Sequence, residues 1–302
     1  MNNLNIYTED LLRKIGRQLD QGIFPVVKNG GIVMPSESAI LSKTLGKESH
    51  HAREKRRTSP ARKSTSRAQG TPGRSTWTPA RIGAPSSTPS VVSAVIDNVY
   101  AESLSDIVSA YPSMQVWKQE GGFWLYTESS LLPGLSRRVS FLTAVSTDKQ
   151  VVRSWAFYCS AIGVTWIGPR HTNFPDGSIC AYEPKDSTWS FGDSLVTLLD
   201  IYSVWALRQL HYEIFGNWPG PQSVPWIYER ILEIKDNELC GCGVNGKHYL
   251  DCCKTADLRS NLVREAIRFG NLSLWSIRRP PVQISQFMCC RNQPPQISKF
   301  IV

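Results

Sequence analysis

Residues 114–158 read MQVWKQEGGFWLYTESSLLPGLSRRVSFLTAVSTDKQVVRSWAFY. Four runs inside this stretch have strand composition: Met114 to Gln119, Phe123 to Thr127, Arg138 to Val145 and Val151 to Tyr158. They are rich in β-branched and aromatic residues, and the first two are joined by Gly121-Gly122, a tight-turn signal. Short connections between successive runs predict an antiparallel meander.

Just before it, Leu104, Ile107, Val108 and Tyr111 fall at i, i+3, i+4 and i+7, the apolar stripe of a helix that Pro112 ends. After an irregular segment, 163–189, comes Phe191 to Phe215. Its Leu195, Leu198, Leu199, Tyr202, Trp205, Leu207 and Leu210 predict a long helix with a wide apolar face, closed by Gly216 to Pro221. One helix, a four-strand meander, a loop and a long helix make an α+β class with a single antiparallel sheet.

Outside this core the chain divides by composition. Residues 1–27 carry a short amphipathic helix with Leu11, Leu12, Ile15, Leu19 and Ile23 at helical spacing. Residues 28–93 hold twelve Lys or Arg against three Asp or Glu, so they alone account for the formal net charge of +9. With almost no apolar pattern, this segment is expected to be a disordered basic linker. Its basic runs are a candidate for phosphate contacts with nucleic acid. The core domain is expected over 94–222, and a helical region over 223–302, with Val224 to Ile234 and Asp257 to Phe269 as helices and no clear periodicity in the tail. No apolar run is long enough to span a bilayer and no signal-peptide pattern opens the chain, so a membrane location is not expected and the expected compartment is the cytoplasm.

The eight cysteines lie at 159, 180, 240, 242, 252, 253, 289 and 290. In a reducing compartment such clustering favours metal binding and catalysis over disulfides. Cys240-Gly-Cys242 and Cys252-Cys253 offer four thiolates in two close pairs, the donor set of a closed tetrahedral zinc site. His248 is an alternative donor, and Cys289-Cys290 has no partner pair.

The irregular segment holds the strip HTNFPDGSICAYEPKDSTW, residues 171–189. Its order of groups (His171, Asn173, a Gly-Ser-Ile run into Cys180, then Trp189) resembles the active-site strip of ubiquitin-conjugating enzymes. Trp218-Pro219-Gly220 resembles a feature of bacterial relatives of that family. The resemblance covers about 94–221, and the helix, meander, loop and long helix follow the family's element order. It implies Cys180 as a thioester nucleophile, Asn173 as the oxyanion donor and His171 as loop organiser. Thr172 stands where the family has proline, and Asn173 lies one residue nearer to the cysteine than is usual. The implied partners are an activating enzyme and a ubiquitin-like modifier, or a nucleotidyltransferase-type target in a bacterial antiphage system. An inactive adaptor with the same fold is the alternative. The cysteine cluster resembles the SEC-C motif, which implies structural zinc and contact with another protein.

Overall fold

A computed structural model of the protein describes residues 6–28, 31–33, 100–129, 138–160, 163–182, 188–243, 246–291 and 293–300. Helix α1 (Ile6–Asp20) leads into a two-stranded antiparallel ribbon, β1 (Val26–Lys28) and β2 (Gly31–Val33), with Val26 opposite Val33. The expected linker boundary at residue 28 therefore moves to beyond Val33. The β-branched Val26, Val27, Ile32 and Val33 flank Asn29-Gly30, a dipeptide typical of hairpins. The remainder of the expected linker lies outside the described residues.

Helix α2 (Ala101–Ala110) precedes a five-stranded antiparallel sheet of β3 (Gln115–Gln119), β4 (Gly122–Ser129), β5 (Val139–Ser146), β6 (Val151–Ser160) and β7 (Gly163–Trp166), in that spatial order. The four expected strands are present, and β7 is a fifth, formed within the segment read as irregular. It pairs Trp166 with Phe157 at the sheet edge. Helix α3 (Leu195–Phe215) follows, then α4 (Ile227–Glu233), α5 (Lys254–Arg259), α6 (Leu262–Leu272), α7 (Val282–Cys290) and a short 3-10 turn at Ile297–Lys299. The helix expected over 257–269 is two helices, because the Asn261 side chain accepts from Arg264 N at 3.1 Å and starts α6 anew. Among the described residues, no helix is long and apolar enough to cross a membrane.

The sheet is buried on both faces. On one, Phe123, Leu125, Val139, Phe141, Val145, Val152 and Ala156 pack with Leu12, Ile15 and Leu19 of α1, Ile107 of α2, and the apolar residues of α3. Helix α3 buries residues around much of its circumference, since α1 and the β1–β2 ribbon lie against it as well. Burying each large side chain contributes about 1.5–3 kcal/mol. On the other face, Trp124, Tyr126, Leu142, Trp155 and Phe157 are covered by Ile284, Phe287 and Met288 of α7 and by Ile297 and Phe300. All eight residues of β5 are buried, which explains why its sequence is so poor in charge. The tail is stitched to the sheet by polar contacts. Trp124 Nε1 donates to Pro295 O at 2.8 Å, and Gln119 Oε1 accepts from Ile297 N at 3.0 Å.

Candidate functional site

The strip from His171 to Cys180 folds back on itself. Thr172 faces Ile179 across an isolated antiparallel bridge, Asn173 N donates to Ser178 O at 2.7 Å, and Cys180 N donates to His171 O at 3.0 Å. The returning arm is tied to β6, with Ile179 N donating to Ser154 O at 2.7 Å and Trp155 Nε1 to Asp176 O at 2.7 Å. At the tip, the Asp176 carboxylate accepts from Ser178 N at 2.9 Å and from Ser178 Oγ at 2.8 Å. Gly177 adopts φ +62°, and a Cβ there would lie 2.7 Å from the Arg279 carbonyl carbon. The tip therefore rests on the backbone of the C-terminal region and has no room for a side chain.

Asn173 is committed inside this loop. Its Nδ2 donates to Ser178 Oγ at 3.1 Å and to Ile179 O at 3.1 Å, so both amide hydrogens brace the turn that carries Cys180. Cys180 itself is half-buried. It neighbours Tyr202 of α3, whose phenol is held well above its ordinary pKa by burial first, and then by Tyr182 and Cys180 close by. Trp189 closes the strip, its Nε1 donating to Ser194 O at 3.0 Å where α3 begins and its ring set edge-on to Tyr182.

His171 is the junction between the strip and the rest of the molecule. Its carbonyl also accepts from Trp205 Nε1 at 3.0 Å, its ring lies 4.2 Å from that of Trp218, and its Nε2 is 3.0 Å from Gln222 Oε1. Burial, followed by the nearby charges of Arg170 and Arg208, holds the imidazole well below its ordinary pKa. The ring is therefore neutral in the folded protein at neutral pH, while in the unfolded chain it takes up a proton below about pH 6.5. Stability is then expected to fall as the pH drops below that value, by up to about 1.4 kcal/mol per pH unit from this residue. Thermal melts between pH 7 and 5 should show a shallower decline for His171→Gln than for the native chain; parallel declines would remove the assignment. Burial also lowers the pKa of His211, so the variant keeps part of the slope.

Beside His171, Arg170 forms a buried ion pair with Glu238, with the two side chains 3% and 0% exposed. Arg170 Nη2 also donates to Gln222 Oε1 at 2.9 Å, and Glu238 accepts from Trp218 N at 2.9 Å. Gln222 Nε2 donates to Leu239 O at 2.7 Å. None of these polar residues stands out in the sequence, since their partners are distant along the chain. A lone Arg or Gln between apolar runs reads as surface until the fold encloses it.

The cysteine cluster begins at the next residue. Cys240 N donates to Lys247 O at 2.8 Å and Tyr249 N to Glu238 O at 2.8 Å, a short hairpin that brings Cys240 and Cys242 against Cys252 and Cys253. The four sulfurs all lie within 4.8 Å of one another. Two of the separations are 3.7 Å, Cys242 to Cys252, and 3.8 Å, Cys252 to Cys253. A tetrahedron of sulfurs about 2.3 Å from a central ion has edges of about 3.8 Å, so these four residues could hold a metal ion. None of the four is in a disulfide. His248 is not among the clustered donors; its place in the hairpin is opposite Leu239. Bidentate pairing of Arg230 with Asp257, at 2.8 and 2.7 Å, and the Tyr249 hydroxyl on Asp257 fasten α4 and α5 around the cluster. Cys289 and Cys290 are exposed at the end of α7, apart from it. No protein-family model matches the sequence, and neither a curated protein nor a solved structure matches it.

Proposed function

We propose that the protein is a thioester carrier of the ubiquitin-conjugating type, with Cys180 as its nucleophile. The observation that carries this reading is the placement of Cys180. It is a half-buried thiol on a braced loop between the last strands of an antiparallel meander and a long buried helix, with His171 and Asn173 both bonded into the same loop. In the first step the Cys180 sulfur bonds to the carbonyl carbon of a modifier's C-terminus as the bond to the activating enzyme's sulfur breaks. In the second, an amine or thiol of the target bonds to that carbon and the Cys180 thiolate leaves; neither step changes oxidation state. Asn173 acts as the loop brace and His171 as the organiser of the loop. The four-cysteine cluster holds structural zinc and offers a surface to a partner, the target or a nucleotidyltransferase-type protein.

Incubation with a cognate activating enzyme, its modifier and ATP should give an adduct that thiols reverse and that Cys180→Ala abolishes. An adduct that persists in Cys180→Ala would sink the proposal. The adaptor reading draws its support from Asn173, whose amide hydrogens are both used within the loop. It predicts no adduct at all, with partner binding unchanged in Cys180→Ala.

A further inference from the structure

A buried side chain links the loop that carries His171 and Cys180 to the hairpin that carries the cysteine cluster. Gln222, 8% exposed, sits between them. Its amide orientation is determined from both ends: Nε2 must donate to Leu239 O at 2.7 Å, and Oε1 must accept from Arg170 Nη2 at 2.9 Å. An oxygen on that side can only accept from His171, 3.0 Å away, so the ring carries its hydrogen on Nε2 and leaves Nδ1 as the lone-pair nitrogen. Leu239 directly precedes the first clustered cysteine and is paired with His248 in the hairpin that presents it. Ser223, next to Gln222, is bridged to Cys242, and Val224 N donates to Gly241 O at 2.7 Å. Glu238 adds a second tie, accepting from Arg170 and from the backbone of Trp218, the residue whose ring lies against His171.

We infer that Gln222 is a positioning residue through which the metal-bound state of the four-cysteine cluster sets the tautomer and orientation of His171, and with them the setting of the Cys180 loop. Metal holds residues 240–253 in the conformation that offers Leu239 O and Glu238. Without it the donor end of Gln222 loses Leu239 O and Arg170 loses Glu238, so the amide is free to turn over and the His171 ring is no longer held to one tautomer. This rests on the thioester-carrier reading only in saying what the Cys180 loop is for.

The test uses the full chain, zinc-loaded or chelator-stripped under reducing, oxygen-free conditions. One readout is the pair of imidazole nitrogen signals of His171, assigned with His171→Gln. The other is iodoacetamide alkylation of Cys180, followed by peptide mass and referenced to Cys159. Loaded wild type should show the Nε2–H form. Stripping it, or replacing Gln222→Met with zinc retained, should mix the tautomers and change the Cys180 rate about threefold or more. Stripping Gln222→Met should then add little. Gln222→Leu, which likewise neither accepts from His171 nor donates to Leu239 O, should reproduce the mixed tautomers and the lost dependence on zinc, and serves if Gln222→Met does not fold. A loaded Gln222→Met with native tautomer and rate would overturn the inference, as would stripping that changes Cys180 equally in wild type and variant. Absence of the thioester adduct alongside coupled rates would remove the proposed function and leave this inference standing. An adduct with uncoupled rates would do the reverse.

Discussion

Cys252→Ser is expected to empty the four-cysteine site, lowering bound zinc from about one per chain to near zero and loosening residues 238–257. A serine hydroxyl keeps the shape of the side chain but does not ionise near neutral pH, so the site loses one of its four charged donors. The local core cannot make up the difference. Its buried members are Val224, Ile234, Cys240 and Tyr249, and four such side chains contribute on the order of 6–12 kcal/mol. Metal binding in small sulfur sites supplies about 10–16 kcal/mol of folding free energy, and it is this that Cys252→Ser removes. Elemental analysis and limited proteolysis should register the change together, with new cleavage between Leu239 and Lys254. Cys289→Ser, at an exposed position on α7, should alter neither. Full zinc content in Cys252→Ser would refute the site.

Gly122→Ala is expected to destabilise the protein by about 4 kcal/mol or prevent folding altogether. Gly122 opens β4 and is paired with Gln119 on one side and Ser146 on the other. A Cβ added there would stand 2.0 Å from the Val145 carbonyl oxygen and 3.0 Å from its carbon. Both are backbone atoms of β5, a strand buried along its whole length, so neither can yield without shearing the sheet. Gly163→Ala provides the comparison, since an added Cβ there meets nothing within 4 Å. Chemical denaturation of both variants would decide the point. Equal midpoints would mean that the β4–β5 approach is looser than described.

The sheet is legible in the sequence because Val139 to Val145 and Val151 to Tyr158 are long enough, and β-branched enough, to outweigh other readings. Strand β7 is not, for Gly163–Trp166 is four residues at an edge, half in water. Helix α7 had a usable signal in Ile284, Phe287 and Met288 at i, i+3 and i+4, but the prolines on either side hide it among turn-like residues. The cysteine cluster is legible because its donors are close along the chain. The polar junction is not: Gln222 meets His171 across 51 residues, and Glu238 meets Arg170 across 68. No local pattern encodes a hydrogen bond that closes only after both segments are packed. Asn173 falls between these cases, since its place in the strip can be read but the two acceptors of its amide cannot.

The double cover of the sheet also sets a timetable for synthesis. Gln119 must wait 178 residues for the Ile297 backbone that it accepts from. At typical elongation rates of about 5–20 residues per second, that interval is roughly 10–35 s. From Phe157 until α7 is made, the nascent chain displays Trp124, Trp155 and Phe157 as an uncovered aromatic plate, although the other face can be covered as soon as α3 is complete. A chain interrupted before α7 would carry that plate permanently. Protein released early is thus expected to travel with chaperones or to aggregate, whereas the finished chain seals itself with its own later residues.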